Sequence, residues 1–360
     1  MTAARTPVCR RTGGPARPGR AARAALGKAA FARAARAMAA ATVAVAALVV
    51  CPAPARAQAA AWPTHPIRFI VPLTAGGSND FIARVIAERL QPVLGQPVVV
   101  ENRPGAGGNV GTEYVGHQPP DGYTILLSSN THVMNLSFYR KLPYDPIRDF
   151  EPVSLIATVP FVMTVNAGLP VRTLREFIDY ARAHRGEVTY GSAGVGTPHQ
   201  LSAELLKSMT GIEMTHVPYK GAAGIVPALI GNEITVTIGA INSLLPHIRA
   251  GRLRPIAVAA DHRTALLPDL PTIAEAGPLP GFDIEIWLGV LAPAGTPRAV
   301  VDRLNAEINR IVRDPEVVRD KLHPNGIEPV GTTPERYTEV MKEDIVRYQK
   351  IARDAKIQPE

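Results

Sequence analysis

The chain has only two cysteines, Cys9 and Cys51, and both lie in the first 57 of its 360 residues. Past that point no disulfide, thiol nucleophile or thiolate metal site can form. Common catalytic signatures are missing as well. There is no Gly-x-Ser-x-Gly elbow, no His-Glu-x-x-His and no Gly-Lys-Ser/Thr phosphate loop. Gly191-Ser192-Ala193-Gly194 has the wrong spacing for a nucleophile elbow, and the nine histidines are dispersed, with no pair at metal-ligand spacing. These absences argue against an enzyme and against a resident metal or cofactor. Beyond residue 57 no apolar run approaches 18 residues, so that part of the chain reads as a soluble, extracytoplasmic protein.

Acidic residues are absent from residues 1–57, which carry ten basic ones. Without that stretch, 29 of the 39 basic residues remain against 31 acidic, so the formal +8 becomes slightly negative. A basic start, an apolar run from Ala37 to Val50 and the small-residue site Ala55-Arg56-Ala57 predict an export signal cleaved near Ala57. About 14 apolar residues fall short of the roughly 20 a membrane anchor needs. Leu48-Val49-Val50-Cys51 leaves lipidation as an alternative. Nucleic-acid binding loses its only support, since the positive charge sits in the leader.

What remains is long enough for two cores, and the whole chain, with 46% hydrophobic and 19% charged residues, has an ordinary α/β composition. Ile67 to Val71 reads as a strand, Ser78 to Leu90 as a helix with Ile82, Ile86 and Leu90 on one face, Gln96 to Glu101 as a strand, and Tyr123 to Leu127 as a third. Strands and helices alternating at this spacing predict a βαβαβ unit with a parallel sheet. The pattern restarts at Val188-Thr189-Tyr190, followed by a helix over Thr197 to Met209, a strand at Met214 to Val217 and a helix over Ala222 to Ile230. Amphipathic helices follow at Arg298 to Val312, Pro315 to Leu322 and Pro334 to Ala355. The expected architecture is two α/β lobes, each a mostly parallel sheet flanked by helices, with the chain crossing near Thr158 to Asn166 and again near Phe282 to Trp287.

Ligands of open parallel sheets bind where strands run into helix N-termini. Two such joints carry glycines: Ala75-Gly76-Gly77-Ser78-Asn79-Asp80, with Ser78 or Asn79 as N-cap, and Gly194-Val195-Gly196, where Thr197 and Gln200 fit a capping box and Pro198 fits the first helical position. Free N–H groups and the helix dipole at such turns favour an anion, most simply a carboxylate. Lys220 is a candidate anion partner, His199 a candidate donor and Trp287 a candidate stacking surface, though each has an ordinary structural alternative. Gly105, Gly107 and Gly111 suggest a dinucleotide turn, but Ser128-Ser129-Asn130 stands where its acidic residue belongs.

Several longer motifs run in order: Val71-Pro72-Leu73-Thr74-Ala75-Gly76-Gly77-Ser78-Asn79-Asp80, Glu101-Asn102-Arg103-Pro104-Gly105-Ala106-Gly107-Gly108-Asn109, Lys141-Leu142-Pro143-Tyr144-Asp145-Pro146, His216-Val217-Pro218-Tyr219-Lys220-Gly221 and Leu291-Ala292-Pro293-Ala294-Gly295-Thr296-Pro297. Together they resemble the Bug or TctC-type receptors of tripartite tricarboxylate transporters. The resemblance implies a type 2 flytrap binding protein of the periplasm, without catalysis or cofactor, that closes on a small carboxylate and delivers it to integral membrane transporter subunits. It implies a monomer, with lobe 1 over 64–163 plus 286–360, lobe 2 over 164–285, and the ligand cleft between them. A solute sensor serving a signalling partner is the alternative with the same pocket.

By resemblance the ligand meets the first loop, at Leu73, Thr74, Ala75, Gly76, Gly77, Ser78 and Asp80, largely through backbone groups and bridging waters. The second loop contributes Ser192, Ala193, Gly196, Thr197 and His199. Asn130, Thr158, Tyr219, Lys220 and Asn242 complete the expected contacts. Two positions depart from the family: Leu73-Thr74 replaces a frequent aromatic, and Gly239-Ala240-Ile241-Asn242 lacks a frequent acid. The missing acid points to a di- or tricarboxylate or an aromatic acid rather than an amino acid.

Overall fold

A computed structural model describes residues 62–359. The export signal, its cleavage near Ala57 and both cysteines lie outside the described residues.

The first strand, β1 (Ile67–Val71), is buried except at Arg68, as expected of a strand covered on both faces. Helix α1 (Ser78–Leu94) buries Ile82, Ile86 and Leu90 and stops at Gly95, which adopts the left-handed conformation. Strand β2 (Val98–Asn102), helix α2 (Asn109–Gly116) and β3 (Thr124–Ser129) complete the βαβαβ unit. Both β2 and β3 pair with β1 in parallel, Ile67 opposite Val98 and Arg68 opposite Thr124. Helix α3 (Thr131–Phe138) follows β3 at once.

Strand β4 (Phe150–Asn166) then runs 17 residues and serves both halves of the molecule. Helix α4 (Leu174–Ala183), β5 (Thr189–Ser192), α5 (Pro198–Thr210), β6 (Thr215–Pro218), α6 (Ala222–Ile230), β7 (Val236–Ala240), α7 (Ile241–Arg249) and β8 (Leu253–Val258) form the second half. The chain returns through β9 (Glu285–Pro293), α8 (Arg298–Val312), the two-residue β10 (Glu328–Pro329) and α9 (Pro334–Asp354). The strand order is β2-β1-β3-β9-β4-β7-β5-β6, with β8 and β10 also pairing with β4. Parallel pairing is confined to the β2-β1-β3 and β6-β5-β7 blocks, while β9 and β4 are antiparallel to their neighbours.

The partner of β4 changes inside the strand. Pro160 is its last residue opposite β9 and Phe161 its first opposite β7. Proline has no N–H to donate, so the ladder is interrupted where the exchange occurs. The returning chain runs beside this point: Ala259 donates its N–H to the Phe161 carbonyl (2.8 Å), and Ile284 donates to Ala259 (2.7 Å). The two crossings are thus adjacent strands, a construction suited to bending.

Helix α9 covers the first half. Trp287 is buried and donates Nε1–H to Asp344 at 2.6 Å, so it is a core residue and not a ligand-stacking surface. The Pro315–Leu322 segment is one α-turn followed by a π-turn, Val318–Leu322, rather than a uniform helix.

Candidate functional site

Side-chain caps are present on some helices and missing from α1 to α3 and α5 to α8. Thr173 caps α4, Thr333 caps α9, and Thr272 forms a full capping box with Glu275 on the one-turn helix Ile273–Ala276. By contrast α1, α3, α5 and α7 have no side-chain cap. These four start from different strands yet converge, and each lends a first-turn residue to one small chamber: Ser78 and Asn79, Thr131, Pro198 and His199, and Ser243. Uncapped first-turn N–H groups leave the positive end of the helix dipole facing the chamber, although in α1 the Asp80 carboxylate already sits in the first turn.

The local hydrogen bonds explain the missing caps. Gly77, not Ser78 or Asn79, is the N-cap of α1. Ser78 and Asn79 therefore sit inside the helix, and Ser78 donates Oγ–H to Asn242 Oδ1 at 2.7 Å. The capping box at Thr197 does not form. Its hydroxyl donates to the Gly194 carbonyl (2.6 Å), and Gln200 accepts from the Gly196 N–H (2.9 Å) instead. Both side chains brace the preceding turn, and the helix N–H groups stay available.

The chamber has a volume of about 40 Å³. Three polar atoms on its lining residues are buried without a partner: Asn79 Nδ2, His199 Nδ1 and Ser243 Oγ. Unpaired buried polar atoms are costly, so their clustering in one chamber marks it as a place for a polar guest. His199 is only 6% exposed, stands 4.7 Å from Phe161 centroid to centroid, and is lowered by burial to about 3, so it is neutral near pH 7. A wider cleft of about 630 Å³ adjoins the chamber and shares Leu73, Thr74 and Ala193 with it. Its other walls include the Gly105–Gly108 turn, Tyr139, Val195, Tyr219 and Lys220. No acidic residue lines either space, and Lys220 is the one charged lining residue.

Leu73, Thr74, Gly77, Ser78, Ala193, Thr197 and His199 thus come together around the chamber, with Tyr219 and Lys220 in the cleft. Other expected contacts line neither space. Ala75 and Gly76 are exposed at the rim. The Asp80 carboxylate accepts from the Gly76 N–H (3.1 Å) and pairs with Arg84 (2.9 Å), so it occupies one of the N–H groups expected to meet the ligand. Asn130 is fully buried and donates to the Glu285 carbonyl and Tyr348 hydroxyl. Thr158 lies in β4 opposite Trp287. Ser192 is bound to His216 Nε2 at 2.6 Å and to both backbone groups of Gly194. Gly196 packs on Asn135, and Asn242 serves Ser78.

Sequence reasoning left Asn79, Ser129, Thr131, Pro198, Ala240, Ser243 and Ile286 out of the lining. Asn79 sits inside the quoted first motif, and Ser129 and Thr131 flank Asn130, so their neighbours were the available signal. Ser243 likewise directly follows Asn242, although α7 begins after β7 with no loop between them to mark the joint.

The two halves meet across this cleft. A side chain at Gly107 would fall 2.2 Å from the Val195 carbonyl oxygen, and one at Gly221 would fall 2.0 Å from Thr74 Oγ1.

The buried histidines give a pH prediction. His132 and His199 are lowered by burial to about 4 and about 3. A depressed histidine contributes stability that is intact above its unfolded value near 6.5 and is lost as pH falls toward the folded one. Glu285, raised by burial to about 7, acts in the opposite sense, so the Tm should stay nearly level around pH 7 and fall below about pH 6 as the two histidines prevail, whereas affinity for a carboxylate should stay flat from pH 5.5 to 8. A tenfold rise in affinity toward pH 5.5 in calorimetry would show that His199 binds in its charged form.

Among the described residues no cluster of His, Asp and Glu could hold a metal ion, and no helix is long and apolar enough to cross a membrane. Residues 82–357 match the family model described as tripartite tricarboxylate transporter family receptor. An R. palustris protein solved with adipate is 40% identical, covering 83% of this chain and 100% of that one, with a TM-score of 0.80. The periplasmic binding protein BugD is 31% identical over 83% of this chain and 100% of that one, with a TM-score of 0.79. MatC from Rhodopseudomonas palustris, with bound malate, is 31% identical over 81% of this chain and 100% of that one, with a TM-score of 0.77.

Proposed function

This chain belongs to the tripartite tricarboxylate transporter receptor family, with the two-lobed binding-protein fold, and from that premise we propose that it captures a small carboxylate without an ammonium group. It does so in the periplasm, as a monomer, and passes the solute to integral membrane transporter subunits. One observation carries the reading: uncapped helix N-termini from both halves converge on a chamber that holds three unpartnered polar atoms and no acid. A carboxylate satisfies N–H donors and the Asn79 amide together, and its charge is matched by helix dipoles. An α-ammonium group would find no carboxylate partner in the lining. The relatives solved with adipate and malate support the ligand class.

Lobes over 64–163 plus 286–360 and 164–285 hinge at the adjacent crossings, so closure brings the two glycine turns onto one ligand. The Ser192–His216 pair is no nucleophile and base: its hydroxyl is fully buried, held by Gly194, and lines neither space.

A thermal-shift screen tests this. A ligand at 100 times its Kd adds about 2.7 kcal/mol, which is roughly 5 °C for a domain of this size. Adipate, malate, citrate or benzoate should give such a shift, and aspartate and glutamate should not. Shifts with the amino acids alone would overturn the proposal.

A further inference from the structure

We propose that His216 is a positioning residue for the binding turn of the second half: from the edge strand β6 it fixes the Ser192 hydroxyl, and that hydroxyl shapes the turn at residues 194–196 that closes on the ligand. This rests on reading that turn as one jaw of the site. Ser192 is fully buried and lines neither the chamber nor the cleft, so it acts through what it holds. Its Oγ accepts from the Gly194 N–H (3.1 Å), donates to the Gly194 carbonyl (3.1 Å) and stands 2.6 Å from His216 Nε2. A hydroxyl has one hydrogen to give, and here the carbonyl takes it. All three bonds therefore coexist when Nε2 carries the ring hydrogen and His216 is the donor.

The imidazole is itself held in place. His216 lies opposite Tyr190 where β5 pairs with β6, and the two rings stack at 4.8 Å with 11° between their planes. The Tyr190 hydroxyl donates to Glu204 (2.6 Å), which also pairs with Lys207 (2.8 Å). Precision matters at the inner end of this chain: Gly194 has φ +124, and the next residue, Val195, carries the carbonyl oxygen that packs against Gly107 of the other half. The first half follows the same plan with other residues, since Asp80 accepts from the Gly76 N–H and is held by Arg84. In both turns a backbone-bracing side chain is locked by a second residue outside the site, and without that residue the brace is free to rotate.

His216→Phe keeps the ring stack and deletes the donor, whereas His216→Gln returns an N–H near the position of Nε2. Calorimetry with adipate, together with hydrogen exchange of the Gly194 amide followed by NMR in the unliganded protein, tests the proposal. His216→Phe should weaken adipate about tenfold and speed Gly194 exchange at least tenfold, with the Tm within a few degrees of wild type. His216→Gln should stay within threefold of wild type in both measurements. Ser192→Ala should also cost affinity, and adding it to His216→Phe should lose less than a further twofold, because the two residues act as one unit. Equal losses in His216→Phe and His216→Gln would assign the effect to packing of the ring, and adipate affinity in His216→Phe within threefold of wild type would show no positioning role; either result overturns the proposal. If the wild-type protein binds no carboxylate, the reading of the chamber fails instead, and the Gly194 exchange rates alone decide whether His216 holds the turn.

Discussion

Asn79→Asp should abolish carboxylate binding, with at least a 1,000-fold loss, while lowering the Tm of the unliganded protein by only a few degrees. The Asn79 side chain is 5% exposed, lines the chamber, and its Nδ2 has no partner. A hydrogen bond from this amide to a carboxylate would contribute about 1.5–3 kcal/mol. Removing it, as in Asn79→Ala, should cost roughly 10- to 100-fold in affinity. Aspartate does more than remove the donor, because it sets a second negative charge beside the first in a space shielded from water. A loss of about 4 kcal/mol corresponds to the 1,000-fold expected. In the free protein the helix dipole at the first turn of α1 offsets part of the cost of burying a carboxylate beside Asp80. A large loss of affinity with only a small loss of stability separates this outcome from simple misfolding. Calorimetry and thermal melts on the same preparations would show both, and a carboxylate affinity within threefold of wild type would remove Asn79 from the site.

Gly107→Ala should weaken every ligand about 100-fold through closure rather than contact. Gly107 has φ +61, and a methyl group there would fall 2.2 Å from the Val195 carbonyl oxygen in the opposite half. Backbone cannot swing aside as a side chain can, so the two turns must separate. Only the closed arrangement suffers, and the apparent affinity drops by the fraction of molecules still able to close. Alanine at positive φ carries its own cost of about 1–2 kcal/mol, which Gly95→Ala isolates. Gly95 has φ +68 and open space around it. Gly95→Ala should lower the Tm by a few degrees and leave affinity unchanged, whereas Gly107→Ala should lower the Tm similarly and lose binding. Equal affinities for the two variants would mean that closure does not use the Gly107 turn.

Much of this was legible because a few physical signals are strong in one dimension. The β-branched run at β1 and the 3.6-residue spacing of Ile82, Ile86 and Leu90 are local patterns, and the structure contains both elements. Glycines at the ends of β1 and β5 marked two strand-to-helix joints that face the chamber. Other elements left weaker traces. Helix α3 is buried nearly all round, so it has no polar face to give it periodicity. Strand β4 contains Pro152 and Pro160, which cannot donate to a continuous ladder and sit where it shifts or changes partner. The capping box at Thr197 failed because two alternative partners lie within the same turn, the Gly194 carbonyl for the Thr197 hydroxyl and the Gly196 N–H for the Gln200 side chain. Asp80 and Ser192 had the right chemistry for ligand contact but are used up by Gly76, Arg84, His216 and Gly194. Sequence spacing can bring a polar group to a loop; which partner it takes is decided by atoms from elsewhere in the fold.

The most direct test is a crystal structure of the protein grown with adipate. The account predicts one carboxylate in the chamber, within hydrogen-bond reach of Asn79 Nδ2 and the first-turn N–H groups of α1 and α5, with the chain of the ligand leaving toward Lys220. A carboxylate bound outside the chamber, or held by the turn of one half alone, would contradict it.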